Sequence, residues 1–262
     1  MEIIRAGRGA IITGGSTGIG FATARLLAKE GAKLVLVDLD RDRAQRSADQ
    51  LISETGCTAA GIGADISEPD QVARMVDEAR ENLGQIDIFI NSAAIMSDKL
   101  FLESEPAEWR RMIDVCLLGP MYCLRAILPH MAQAGYGRVV CLASDAARLG
   151  QARMSYYAAA KGGVIALVKS LAQELGPNGV TLNVVSPGAT DTEMRREREQ
   201  RMREQMGEEK YARRVQGTLR LYPTRRIGLP EDPARLVAFL VGDDAGWITG
   251  QVLSVNGGFA MP

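Results

Sequence analysis

Ala10-Ile11-Ile12-Thr13-Gly14-Gly15-Ser16-Thr17-Gly18-Ile19-Gly20 runs from an apolar stretch through a glycine turn and straight into a helical segment. Glycine at such a turn permits tight backbone angles and lets a phosphate approach the positive end of the helix. The turn is not a Walker loop, because no Gly-Lys-Ser/Thr follows, and its spacing is GxxxGxG rather than GxGxxG. A turn of this kind also serves plain structural ends, so the next strand matters. That strand ends Leu36-Val37-Asp38, 20 residues beyond Gly18. A carboxylate there suits the adenosine ribose hydroxyls of a dinucleotide and repels a 2′-phosphate. With no arginine or lysine at Ser16 or Thr17, the pattern predicts NAD rather than NADP. A helix N-cap or turn role for Asp38 is the plainer reading of the same residue.

Working outward, short apolar runs alternate with amphipathic ones. Ala10–Thr13, Leu34–Val37, Ala59–Ala64, Ile86–Asn91, Arg138–Ala143 and Thr181–Val185 read as strands. Most are continuously apolar, as in strands covered on both faces. Helical patterns fill 18–30, 41–55, 69–83, 106–134 and 154–175, with Pro69 opening one helix and Gly31 and Gly84 closing two others. This order predicts an α/β fold: a Rossmann-type, doubly wound parallel sheet in a three-layer sandwich, as a single domain over 1–262. Residues 193–226, rich in arginine and glutamate and without a strand-like run, predict one or two mobile helices inserted over the sheet edge as a substrate lid.

Composition narrows the functional classes. In 262 residues, 46% hydrophobic but only 5% aromatic, the core must be mainly aliphatic. The 31 basic and 32 acidic residues give a formal charge of −1, which offers no global attraction to nucleic acid or an anionic membrane. Met1–Gly9 carries no signal-like apolar stretch, and no later run reads as transmembrane, so a cytoplasmic protein is expected. Cys57, Cys116, Cys123 and Cys141 form no CxxC pair, and three lie in apolar runs; reduced, mostly buried thiols are expected. The single histidine, His130, reads as a helix-end or surface residue and excludes a histidine-based metal site. Trp109 and Trp247 read as packing residues, and Met194, Met202 and Met206 as lid packing.

The strand 138–143 delivers Ser144 at its C-terminal end, where open parallel sheets bind ligands. Tyr157 lies thirteen residues further on, with Lys161 four residues after it, on the same helix face. An ordinary tyrosine, with a pKa of about 10, is too weak a base near neutrality. A nearby ammonium and a positive nicotinamide ring both favour phenolate. Ser144 can hold a substrate oxygen while Tyr157 gives or takes its proton. Tyr156 is a rival, but only Tyr157 has a lysine four residues on.

Together, Thr13-Gly14-(x)3-Gly18-x-Gly20, Asn91-Ser92-Ala93-Ala94, Ser144, Tyr157-x-x-x-Lys161 and Pro187-Gly188 resemble the short-chain dehydrogenase/reductase family, down to Gly250-Gln251 and Asn256-Gly257-Gly258. The resemblance implies a small alcohol or ketone substrate, a homotetramer paired through the Tyr157 helix and the C-terminal strand, and a cofactor along Thr13, Gly14, Ser16, Thr17, Gly18, Ile19 and Gly20. It implies that Lys161 also binds the nicotinamide ribose, beside Tyr157. Asp65 and Ile66 then lie by the adenine, Asn91 and Ala93 near the cofactor, and Pro187, Gly188, Thr190 and Thr192 around the nicotinamide. Two positions depart from the family pattern: Asn91-Ser92-Ala93-Ala94 for Asn-Asn-Ala-Gly, and Cys116 where an asparagine completes a proton relay through water. A thiol is the weaker hydrogen-bonding group, so the catalytic set Ser144, Tyr157, Lys161 and Cys116 is expected to work with an altered relay.

Between 193 and 226 stand eleven cations (Arg195, Arg196, Arg198, Arg201, Arg203, Lys210, Arg213, Arg214, Arg220, Arg225 and Arg226) against six glutamates. This fits either an anionic substrate handle, carboxylate or coenzyme A-linked, or a solvated helix laced with Glu–Arg pairs. The leading reading is reversible NAD-dependent oxidation of a secondary alcohol to a ketone. A 3-oxoacyl thioester reductase and a dinucleotide-binding regulator weakened by Cys116 stay open as alternatives.

Overall fold

The computed structural model describes residues 4–261; the ends of the expected 1–262 domain, residues 1–3 and 262, lie outside it. Seven strands form one sheet: β1 Gly9–Thr13, β2 Lys33–Asp38, β3 Ala59–Gly63, β4 Ile88–Asn91, β5 Gly137–Leu142, β6 Val180–Pro187 and β7 Val252–Val255. Their order is β3-β2-β1-β4-β5-β6-β7, with every neighbouring pair parallel. The chain therefore winds one way from β1 to β3 and the other way from β4 to β7. Strand order reverses between β1 and β4, opening a crevice at their C-terminal ends.

Alternation along each strand builds the two outer layers. Ile11, Val35, Phe89, Val139 and Leu182 face one way, onto the helices α3 (Pro69–Leu83), α5 (Gly119–Ala134) and α7 (Ser155–Leu175). Ala10, Ile12, Leu34, Ile88, Val140 and Val185 face the other, onto α1 (Gly18–Lys29), α2 (Arg41–Thr55) and α10 (Glu231–Leu240). Both faces are apolar, so these strands read as continuous runs rather than alternating ones. The three-layer Rossmann-type sandwich is the expected fold.

The differences from the sequence reading have local causes. β7 has only four residues, all half-buried, and so leaves little apolar signal between Gly250 and Asn256. The helical pattern over 106–134 is one run of 29 residues made of α4 (Pro106–Ile113), a π-type turn at Asp114–Leu118 and α5. It is long and apolar enough to cross a membrane, contrary to expectation, but its most apolar window is 50% buried inside the protein. Cys123, Leu124, Ile127 and Met131 pack there against the sheet. Trp109 stacks on Phe101 at 5.0 Å, as a packing residue should, whereas Trp247 is 99% exposed, contrary to the packing role expected of it. His130 lies half-buried in the last turns of α5.

The lid segment is a hairpin of α8 (Glu193–Met206) and α9 (Glu208–Leu221), turning at Gly207. No apolar face anchors α8; its single buried residue is Glu199. That carboxylate meets Arg195 at 3.1 Å and Arg214 of α9 at 3.0 Å, so an ion-pair cluster joins the two helices.

Phe89 is fully buried in the middle of the sheet. Phe89→Ala is expected to lower the unfolding free energy by about 3–5 kcal/mol, the usual cost of deleting a buried aromatic side chain. Urea unfolding followed by circular dichroism checks it.

Candidate functional site

The crevice at the strand ends opens into a cavity of about 740 Å³. Of the residues singled out in the sequence, Gly14, Thr17, Gly18, Ile19, Asp38, Asp65, Ile66 and Ala93 line one part of it. Ser144, Tyr157, Lys161, Pro187, Gly188, Thr190 and Thr192 line the rest. Thr13, Ser16, Gly20, Asn91 and Cys116 stand behind this wall.

Close packing explains the glycine turn. A Cβ on Gly20 would lie 2.1 Å from the Gly14 carbonyl oxygen, and one on Gly14 would lie 2.7 Å from the Ala93 nitrogen, with Gly14 also at φ +63°. The turn is thereby pressed against the loop after β4. Behind it, Thr13 Oγ1 donates to Asn91 Oδ1 at 3.0 Å, cross-linking the ends of β1 and β4. Thr17 caps α1 with extended backbone but makes no side-chain cap bond, and the first turn holds no acid. Ser16 Oγ is buried without a partner. Free first-turn N–H groups, an idle hydroxyl and no competing carboxylate suit a pyrophosphate.

At the end of β2, Asp38 Oδ1 accepts from Arg43 at 2.8 Å and from the Asp40 N–H at 3.2 Å. Oδ2 is left for a ribose hydroxyl. Arg43 escaped the sequence reading because it lies on α2, five residues past the strand end, and only the fold brings it to the cavity. Asp65 is engaged by Ser67 at 2.6 Å and by Arg111 at 3.4 Å. These residues fit a nicotinamide dinucleotide.

The part of the cavity holding Ser144, Tyr157 and Lys161 is built by β5 and α7. Tyr157 is 8% exposed and Lys161 is 1% exposed. Lys161 Nζ donates to the Leu142 carbonyl at 2.8 Å, pinning α7 to the end of β5. An ammonium carries three donors, so others remain for hydroxyls in the cavity. Burial pushes the Tyr157 phenol far above its ordinary pKa, the Cys116 sulfur pushes the same way, and a hydrogen bond with Ser144 pulls it back. Burial also weakens the hold of Lys161 on its proton. The sequence reading expected the ammonium to draw the phenol toward neutrality. Burial acts the other way and favours the protonated phenol, a proton donor lining the cavity. Tyr156, the rival, turns away and bonds Ser97 Oγ at 2.5 Å.

Cys116 sits in the π-type turn, fully buried. Its sulfur accepts from the Ile95 N–H at 3.5 Å and donates to the Ile95 carbonyl at 3.4 Å. The thiol thus ties the loop after β4 to the helix behind Tyr157 without touching the cavity. All four cysteines are free.

Two further groups, Asp145 and Tyr222, had no motif to reveal them. Asp145, directly after Ser144 and 3% exposed, accepts from Ser186 at 2.9 Å and from Asn256 at 2.6 Å, fastening the Ser144 loop to the ends of β6 and β7. The Tyr222 hydroxyl accepts from the Ala189 N–H at 3.0 Å and steadies the loop after Pro187. Thr192 caps α8 by accepting from Arg195 N–H at 3.3 Å while its side chain abuts Gly18, so the lid begins over the glycine turn.

Comparison with known proteins agrees with this geometry. A family model described as enoyl-(acyl carrier protein) reductase matches residues 14–260. The short-chain reductase protein NovJ of Streptomyces niveus is 37% identical over 95% of this chain and 92% of its own. The 3-oxoacyl-[acyl-carrier-protein] reductase FabG of Escherichia coli is 33% identical over 97% and 98%. The crystal structure of levodione reductase superposes with a TM-score of 0.90 at 33% identity, covering 97% of this chain and 98% of that one. The chain belongs to the short-chain dehydrogenase/reductase family and is an oxidoreductase.

Proposed function

We propose that the protein interconverts a secondary alcohol and a ketone with NAD. The observation that carries this reading is the meeting of Ser144, Tyr157 and Lys161 in the cavity that Asp38 and the Gly14–Gly20 turn also serve. Bound NAD supplies the hydride acceptor or, once reduced, the donor. Ser144 holds the substrate oxygen. Tyr157 donates its proton to that oxygen on reduction and takes it back on oxidation. Lys161 anchors the helix turn carrying the phenol and presents its free donors to ribose hydroxyls. Cys116 keeps its backbone in the helix break behind both groups.

Asp38 supports NAD, because its carboxylate accepts from a ribose hydroxyl and repels a phosphate in its place. Arg43 offsets part of that repulsion, though its guanidinium is already committed to Asp38. A 3-oxoacyl thioester reductase is the second reading, favoured by the likeness to FabG. We place the protein in the cytoplasm, as four free thiols suit a reducing compartment. A homotetramer is supported by fully exposed Trp247 beside the edge strand β7, a surface that a second copy would cover.

Three outcomes test this reading. Tyr157→Phe should lower kcat by about 10²–10⁴, the span of a lost general acid or base, with NAD affinity unchanged by fluorescence titration; near-normal turnover would overturn the mechanism. NAD should bind about tenfold or more tightly than NADP, and Asp38→Ala should narrow that gap; equal affinities in the unaltered protein would remove the NAD assignment. Because burial raises the Tyr157 pKa, oxidation needs the scarce phenolate and reduction the abundant phenol. The kcat/KM for alcohol oxidation should therefore rise with pH, by about tenfold per unit from neutrality upward. That for ketone reduction should stay flat and fall only as pH passes the raised pKa. A pH-independent oxidation rate limited by chemistry would contradict this.

A further inference from the structure

Beyond the reacting cavity lies a second one of about 520 Å³, between α8 and the loop 96–98. The two share Met96, Met194, Arg198 and Arg201 as common wall, so a molecule seated at Tyr157 has a direct neighbour chamber for its far end. The chamber's charges do not balance. Arg153, Arg198 and Arg201 line it against a single carboxylate, Asp98. Asp98 is already shared, meeting Arg153 at 2.5 Å and Arg198 at 2.6 Å. Burial pushes its carboxyl up, yet the hydrogen bonds and charges of both arginines outweigh this and hold it ionised, below the usual range.

Most lid arginines have carboxylate partners. Arg195 and Arg214 are paired with Glu199, Arg196 with Asp191, Arg203 with Glu208, Arg213 with Glu209 and Arg226 with Asp232. Most of the arginine excess seen in the sequence is therefore structural pairing. Arg201 is the exception among the arginines of the two cavities: it has no hydrogen-bond or ion-pair partner among the described residues. Glu197, one helical turn earlier, makes no ion pair with it. A solvent-exposed guanidinium without a partner, in the wall of a concave site whose one carboxylate is already shared by two others, favours an incoming anion. The rest of the wall is four methionines, Met96, Met194, Met202 and Met206, together with Ser97 and Gln205. Such flexible thioethers accommodate an apolar chain of loose shape.

We propose that this chamber binds the tail of the substrate, an apolar chain ending in an anionic oxygen group, carboxylate or phosphate monoester, with Arg201 as its recognising cation. The assignment rests on the oxidoreductase reading for the word substrate, while the chamber itself is testable apart from turnover. Arg201 then sets specificity at a distance from the reacting carbon, and Arg153 and Arg198 hold the chamber open through Asp98.

The test is calorimetric titration of the full chain, with and without saturating NAD, using heptanoate, hexyl phosphate and neutral heptanamide. Heptanoate or hexyl phosphate should bind about tenfold or more tightly than heptanamide, as a charge-assisted pair requires, and whichever anion binds better identifies the tail. Arg201→Gln should abolish that preference, Arg201→Lys should keep part of it, and Arg203→Gln, which touches neither cavity, should leave it intact. Among ketones, KM for 6-oxoheptanoate should rise about tenfold in Arg201→Gln with kcat unchanged, while KM for neutral 2-heptanone stays constant. Equal binding of anions and amide, or an Arg201→Gln variant that keeps the preference, would overturn the proposal even if alcohols are oxidised normally. Absence of nicotinamide-dependent turnover alongside an Arg201-dependent anion preference would instead remove the oxidoreductase reading and leave the anion chamber standing.

Discussion

A buried ammonium organises the reacting end of this protein. Lys161, 1% exposed, would be too costly to bury without acceptors, and the Leu142 carbonyl at 2.8 Å supplies one. That single bond joins α7 to the end of β5. It sets Tyr157, one turn earlier on the same helix, over the strand end that carries Ser144. The lysine donors left over need polar partners, which is a demand for a hydroxyl-bearing ligand written into the fold. Around it, Asp145 clamps the Ser144 loop to β6 and β7, and Thr13 with Asn91 joins β1 to β4. The cavity is rigid where chemistry is to occur because its walls are cross-linked strand ends.

The opposite regime holds over the lid. Helix α8 buries no apolar residue and is fastened by ion pairs: Glu199 to Arg195 and Arg214, and Asp98 to Arg198. Such pairs hold geometry but add modest stability where they meet water. The hairpin is thus held by charges, whereas the sheet beneath it is held by apolar packing.

The phenol illustrates how burial and charge compete. Sequence spacing put a lysine one turn from Tyr157 and suggested an acidified phenol. Desolvation, which no spacing reveals, acts the other way. The same holds for Cys116: its place in the sequence suggested a weakened relay, while the structure shows its thiol bridging both backbone groups of Ile95. That thiol ties the loop after β4 to the helix.

Sequence alone determined the layer architecture, the parallel sheet, the glycine turn and the order of the reacting residues, because these rest on local periodicity, steric need and spacing within one helix. β7 escaped the residue pattern, since four half-buried residues carry too little apolar signal. Arg43, Asp145 and the Asp98 cluster also escaped, because their meaning lies in partners 5, 41 and 55 to 100 residues away. Only the tertiary structure decided which of the many lid arginines are neutralised and which of the cavity-lining ones is left without a partner. Charge pairing depends on distance in space, and a string of residues carries no distances.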